Sequence, residues 1–362
     1  MTYTYLDAED GKEKRPSCLI EELFRSVPVI RHPVLPFDAS YFQQDGFRSC
    51  STAYYQVAQS YYGKKPQSKR PLVQIPAVLE RKPQEKVDLR HLRKLARHPI
   101  QFFFERKHGI YFEREKRQGK EFVLSALDLA YFRRTSLKGS LGDALKKADE
   151  KGLLPTGRFR DVALHRIEED VTEYQESLAA LGVDPRALFS IEFKASCPAL
   201  IEVRTGEWVA PPLEVPLPEG RSISLIGCLE NLSPQGMLFH GEDRLEDWVK
   251  AWPLFLAALQ GPVKIAPHLL LTKKGVCKEN FFQNPLEALG RYLVYYETAM
   301  ENLSICMPRW AKSILKEGIV EPDNENTDPC LTWMLQRDKL EWAGTWGQRW
   351  QPLLREVFHE VI

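Results

Sequence analysis

"ARHPIQFFFERKHGIYF", residues 96–112, sets three phenylalanines between two basic clusters, directly behind a His-Pro pair that has to interrupt a helix. Just upstream, "DLRHLRKLAR" places Leu89, Leu92, Leu95 and Ala96 on one helical face and Arg90, Arg93, Lys94 and Arg97 on the other. Pro99 suits the first turn of a new helix and biases His98 toward an extended conformation, so two helices meet at an angle here. Ile100, Phe103 and Phe104 form the buried face of the second helix. Helical spacing makes Phe102 to Phe104 core rather than a platform for stacking bases. The basic face has two readings. It is a solvated stripe, or it contacts phosphates with a salt-dependent affinity that carries no sequence information.

Charge around this junction is polarised. From Arg81 to Lys120 there are 13 Lys and Arg against 5 Asp and Glu, a local +8 in a 362-residue chain whose total is only +1. Any electrostatic recognition is therefore local. With 43% hydrophobic residues the chain can bury a sizeable core. Its longest apolar run, Trp252 to Val263, is too short and too interrupted to span a bilayer. The first residues lack an apolar signal core, so the expected location is the cytoplasm, with no membrane partner. Seven cysteines, Cys18, Cys50, Cys197, Cys228, Cys277, Cys306 and Cys330, occur without a CxxC pair, which argues for reduced thiols over a disulfide framework or a zinc ribbon.

Working outward, residues 1–38 read as a strand (Thr2 to Leu6), a helix ("SCLIEELFRS") and a proline-rich exit, and 39–87 as an extended linker. Beyond residue 88 the pattern is regular. A helix over "RDVALHRIEEDVTEYQESLAALG" precedes strands near Ile191–Phe193, Ile223–Leu229 and Met237–Phe239, then a helix over 243–260 and a strand at His268–Thr272. A turn leads to a strand near Val276; Asn284 and Pro285 open a helix to about Met300, and a strand is expected at Leu303–Met307. The central order of helix, three strands, helix and strand predicts a mixed α/β domain around a small sheet. Trp342, Trp346 and Trp350 recur every four residues, as a packing stripe or a subunit contact.

"LRKLARHPIQFFFERKHGIYF" resembles the start of the nuclease-like C-terminal domain of RecC, the gamma subunit of bacterial exodeoxyribonuclease V. "PSCLIEEL", "HPVLPFD", "GLLPTGRFRD" and "ISLIGCLENLSPQGML" resemble further blocks of that family in the same order. The resemblance implies an α/β fold of the PD-(D/E)xK, restriction-endonuclease-like type, a central mixed sheet flanked by helices. Residues 88–362 would form this domain, inactive as a nuclease, and 1–38 the end of a helicase-like domain. It also implies work at DNA ends, in double-strand break repair and recombination, with RecB-like helicase-nuclease and RecD-like helicase subunits of a RecBCD-type complex. The DNA-binding candidates are then Arg90, Arg93, Lys94 and Arg97.

Related active nucleases carry an acid on one strand and acid-x-Lys on the next, holding divalent metal and polarising the phosphate. Glu230 stands at the first position, but His240, Gly241 and Glu242 stand where acid, spacer and lysine are needed. No catalytic residue, metal ligand or cofactor is therefore expected. The alternative is an active Mg2+-dependent nuclease using Glu192 and Lys194 of "IEFK" with Glu230, although that order along the chain is reversed. "ERK" at 105–107 and "DGK" at 10–12 match the spelling on a helix and a loop, poor places for this chemistry. No P-loop, H-E-x-x-H or G-x-S-x-G motif occurs.

Overall fold

A computed structural model describes residues 21–22, 32–33, 35–42, 49–63, 78–112, 124–273, 276–279, 284–318 and 345–359. The chain divides into two compact units, Met1–Pro71 and Leu72–Ile362. The first contains a 3-10 turn (Ala39–Phe42) and helix α1 (Thr52–Tyr62). Within the extended linker expected over 39–87, residues 39–42 and 52–62 are thus helical instead, while 64–77 lie outside the described residues. Eleven residues without Gly or Pro follow Ser51, whose side chain accepts from the Tyr54 N–H at 3.3 Å, and that is enough to start a helix. Its tyrosines lean on the preceding turn, Tyr55 on Phe42 and Tyr61 on Phe37, with ring centres 5.4 and 5.6 Å apart. The strand and helix expected within 1–38 lie outside the described residues, apart from Glu21 and Glu22, which are helical.

In the second unit β1 (Lys86–Asp88) runs straight into α2 (Leu89–Arg97). Asp88 caps the helix by accepting from the Arg90 N–H at 2.8 Å. Leu89, Leu92, Leu95 and Ala96 are buried, as their spacing predicts. His98 leaves the helical region, with φ −154° and ψ 78°, and its Nδ1 accepts from the Gln101 N–H at 3.0 Å, so the imidazole caps α3 (Pro99–Phe103). A π-type turn (Phe104–His108) continues α3 until Gly109, in the left-handed region, ends it. Phe102, Phe103 and Phe104 are all buried. They build core, as expected.

The chain then forms α4 (Ala126–Lys138), α5 (Leu141–Glu150), α6 (Arg158–Ala180), β2 (Phe189–Phe193), β3 (Ile201–Arg204), β4 (Glu207–Ala210), β5 (Leu213–Pro216), β6 (Ser222–Ser233), β7 (Gly236–Phe239), α7 (Leu245–Leu259), β8 (His268–Leu271), β9 (Val276–Glu279), α8 (Pro285–Glu301), α9 (Ala311–Glu317) and α10 (Thr345–Phe358). The described strands make one mixed sheet in the order β3-β4-β2-β6-β7-β8-β9, with β1 and β5 also paired to β6. β2, β6 and β7 are successively antiparallel, and β8 lies parallel to β7 after the α7 crossover. The expected helix–three strands–helix–strand order is therefore present as α6-β2-β6-β7-α7-β8. Strands β3 to β5 are inserted after its first strand, and half-exposed, proline-flanked segments such as these give no clear apolar alternation to read.

One face of the sheet is closed by α2, α3, α7, α8 and α10 in a single apolar core. The other is covered near β7 and β8 by α6, where Leu178 and Val183 meet Leu238 and Leu270. Helices α4 to α6 share a second small core built from residues such as Phe132, Ala144, Ala148 and Ile167. In α5 the buried residues are alanines, Ala144 and Ala148, which leave little apolar stripe to read in the sequence. Burying apolar side chains in these cores contributes about 1.5–3 kcal/mol each.

Two irregularities shape β6. Its register against β2 shifts between Phe189 and Ile191, leaving an extra residue where Asn231 takes φ 61°. This bulge flips the alternation, so Leu225 and Leu229 are buried before it and Leu232 after it. At Gly227 an added Cβ would sit 2.9 Å from the capping Asp88 carboxylate, so glycine lets β1 and α2 approach.

The strand expected at Leu303–Met307 is absent. The segment is buried, but its polar groups are met locally, Cys306 N–H by Ser304 Oγ at 3.3 Å and Met307 N–H by Ile305 O at 2.7 Å. Trp350 is fully buried with its ring 5.8 Å from that of Tyr295, a packing role; Trp342 and the Trp346 side chain lie outside the described residues. Beneath β1, the buried carboxylate of Glu297 receives Arg81 Nε at 2.7 Å, the Gln84 N–H at 2.7 Å and Arg221. No helix among the described residues is long and apolar enough to cross a membrane.

Candidate functional site

Where β2 and β6 bury Ile191, Phe193, Leu225 and Leu229 on one face, alternation turns Glu192, Cys228 and Glu230 to the other. Glu192 faces Cys228 across the antiparallel pair. Lys194 reaches Glu192 at 2.9 Å, and Arg134 of α4 reaches Glu230 at 2.9 Å. Burial pushes the Cys228 thiol up; the Glu230 and Glu192 carboxylates add to this, and Arg93 and Arg134 pull against it. The fold thus gathers Glu192, Lys194 and Glu230 on one polar sheet face, with arginines from α2 and α4 at its margins. Each of the two carboxylates has a cation beside it. Among the described residues no group of three or more His, Cys, Asp or Glu is placed to hold a metal ion.

The four basic residues of α2 separate into two kinds. Arg90 folds back on its own cap, 2.6 Å from Asp88, and Lys94 pairs with Glu105 at 2.8 Å. Arg93 and Arg97, one turn apart, have no carboxylate partner among the described residues. Burial and then the Arg93 guanidinium push the Arg97 pKa down. Two cations held together without an acid favour an anionic ligand.

The third feature is a cleft of about 300 Å³ beside the polar face, at the carboxyl ends of the parallel strands β7 and β8. His240 follows β7, and Thr272 and Lys273 follow β8. The Thr272 and Lys273 N–H groups prolong the ladder, donating to Phe239 O and Gly241 O at 3.1 and 3.2 Å. The opposite wall is α6, with Asp170, Glu173, Tyr174 and Ser177, and α4 contributes Arg133. The Arg133 guanidinium lies 2.9 Å from Asp170, 5.7 Å from the Tyr174 ring centre, and 2.9 and 2.8 Å from the two ring nitrogens of His240. Although its ring is exposed along one edge, desolvation, then Arg133 and Lys273, push the His240 pKa down to about 4. The imidazole is neutral at neutral pH and accepts from Arg133. Glu242 is paired with Arg244 at 2.8 Å and has Lys273 at 3.8 Å.

Arg133 and Arg134 are consecutive on α4, and they approach the two positions at issue, His240 and Glu230. Sequence reasoning missed both. The "RR" dipeptide was visible, but without helix α4 it had no address. The acid-x-Lys spelling at 105–107 is structural, since Glu105 holds Lys94 and Lys107 holds Glu301; residues 10–12 lie outside the described residues.

The RecC C-terminal domain profile matches residues 84–318, well over half of the chain. The chain belongs to the RecC C-terminal domain family. The matched span begins just ahead of β1 and ends with α9, so it contains the sheet, the basic helix and the cleft. The RecBCD enzyme subunit RecC of Haemophilus influenzae is 27% identical over 213 residues, covering 54% of this chain. The aligned part is 18% of that relative's length, so this RecC-like chain corresponds to a small share of it.

Proposed function

We propose that the chain is a non-catalytic, DNA-binding and scaffolding part of a RecBCD-type helicase-nuclease. In this reading it acts at DNA ends in double-strand break repair and homologous recombination, beside RecB-like helicase-nuclease and RecD-like helicase subunits. Its α6-β2-β6-β7-α7-β8 unit is a PD-(D/E)xK nuclease-like fold without the nuclease chemistry. One observation carries the reading: the consecutive guanidinium groups of α4 stand against both positions that metal-holding acids would need, Arg134 at Glu230 and Arg133 at His240. A fixed positive charge within 3 Å of a would-be ligand opposes a divalent cation there. Glu242, in place of the lysine, makes the local charge pattern the inverse of a nuclease centre. Arg93 and Arg97, the α2 cations without acid partners among the described residues, are the phosphate contacts of this reading.

The test is purified chain incubated with linear duplex DNA and magnesium, followed by end-binding titrations over a salt series and co-purification with the RecB-like and RecD-like subunits. The expected outcome is binding that weakens steeply with salt, stable association and intact DNA. A second reading, an active Mg2+-dependent nuclease, is favoured by the shared face of Glu192, Lys194 and Glu230. Cleavage abolished by Glu192→Ala or Glu230→Ala would establish it and sink the first.

A further inference from the structure

The cleft between α6 and the ends of β7 and β8 takes no part in the phosphate contacts proposed for α2. It lies where open α/β sheets leave a crevice for ligands, and about 300 Å³ is the scale of a small-molecule site. Its charges are largely matched: Arg133 by Asp170, and Lys273 and Arg244 by Glu242. Glu173, exposed on α6, is the remaining acid. Among the described residues a phosphate finds no surplus cation here, and a metal ion finds only Glu173 without a guanidinium or ammonium group beside it. The uncharged groups recognise a ligand through the lone pairs and hydrogens they have left, since the Ser177 hydroxyl donates to Glu173 O at 2.8 Å and Arg133 lies over the Tyr174 ring. These groups are the Tyr174 ring and phenol, the Ser177 and Thr272 hydroxyls, and the neutral His240 imidazole, 3.1 Å from Thr272 Oγ1. Together they offer donors, acceptors and an aromatic edge.

We infer that this cleft receives one unpaired nucleobase of a single-stranded DNA. A base is flat, uncharged and edged with both donors and acceptors, matching a charge-balanced cleft with hydroxyls, an imidazole and a tyrosine. The inference rests on the DNA-binding reading above and adds to it a base contact, separate from the phosphate contacts of Arg93 and Arg97.

The experiment measures the affinity of the full chain for a thymidine 12-mer and for a 12-mer of the same sugar-phosphate backbone lacking bases, by fluorescence anisotropy. Wild type should prefer the base-bearing strand by about tenfold. Tyr174→Leu, which removes the ring, and Ser177→Leu, which fills the cleft, should each abolish that preference while keeping the affinity for the abasic strand. Their thermal unfolding is compared with wild type, and Ser177→Leu decides alone if Tyr174→Leu is unfolded. The Arg93→Ala, Arg97→Ala double variant should weaken both strands equally. Equal wild-type affinity for the two strands, or a preference that survives a folded cleft variant, overturns the base site. If the double variant still weakens both strands in that case, the phosphate reading stands. Binding of neither strand overturns both.

Discussion

The two faces of strands β2 and β6 come from alternate residues of the same short segments, yet they meet opposite environments. On one, Ile191, Phe193, Leu225 and Leu229 close against Trp252 and Phe255 of α7 in a continuous apolar core. On the other, Glu192, Cys228 and Glu230 stay half-buried beside Lys194, Arg134 and Arg93. Ion pairs divide the same way. Glu297 under β1 is fully buried and receives three protein donors, whereas Glu230 keeps a third of its side chain exposed against a mostly exposed Arg134. The lesson is that burial, and not the number of arginines, separates a structural carboxylate from one merely paired at the surface. Removing one partner of a buried pair strands a charge; removing one at the surface leaves it to water.

The largest expected effect lies on the closed face. Phe255→Ala should cost about 3–5 kcal/mol of stability, read as a shift of the denaturant midpoint, because a fully buried ring leaves a cavity that a packed core closes only in part. A change below about 1 kcal/mol would mean that this face is not the main core.

Next comes Glu297→Ala, expected to cost about 3–5 kcal/mol by leaving Arg81 and Arg221 without their buried acceptor. Burial works to raise the Glu297 pKa, but the hydrogen bonds from Arg221, the Gln84 N–H and Arg81 outweigh it and hold the carboxyl below its usual 4.5. The unfolded chain therefore takes up the proton first on acidification. The stabilisation is present in full above pH 4.5 and falls as pH drops through the lower folded value. Melting temperatures of wild type and Glu297→Gln should converge as pH falls below 4.5; parallel curves would contradict this.

On the open side the effects are smaller and concern charge. His240 should titrate near pH 4 by NMR, and Arg133→Gln should move its midpoint upward by removing a neighbouring cation. Since its folded pKa is lowered from 6.5, the unfolded chain binds the extra proton between pH 6.5 and about 4, so this group lowers stability as pH falls through that window. A midpoint near 6.5 in wild type would dissolve the distinction drawn for the cleft.

The smallest stability changes belong to α2. Arg93→Ala and Arg97→Ala should each reduce the salt slope of DNA binding by about 1 with little change in melting temperature. Arg90→Ala and Lys94→Ala, whose cations already face Asp88 and Glu105, should change DNA affinity less. Equal losses for all four would return the stripe to a uniform field.

Much of the fold was legible before any coordinates. α2 and α3 declare themselves by a strong apolar spacing and a His-Pro boundary, both local devices. The central strands show alternation, and Asn284-Pro285 marks the start of α8. What escaped was carried by weaker local signals. α5 buries the small side chains of Ala144 and Ala148, β3 to β5 are short and partly exposed, and α1 sits in a segment whose glutamines, lysines and prolines read as a linker. Leu303–Met307 reads as a strand because it is apolar, yet it is buried without a ladder. The site was legible only as fragments: Glu230 and His240 were singled out for the missing acid-x-Lys, while Arg133, Tyr174 and Thr272 stand far from them in sequence.

By itself, the sequence determined the helix junction, the alternating strands and the local excess of positive charge, because each is written in the spacing of neighbouring residues. Only the tertiary structure decided which of the α2 cations meet a carboxylate among the described residues, and that consecutive arginines of α4 meet Glu230 and His240. It also decided that a charge-matched cleft opens at the ends of β7 and β8. Those properties depend on distances of a few ångströms between groups separated by up to about a hundred residues, and such distances exist only once the sheet and its covering helices have packed.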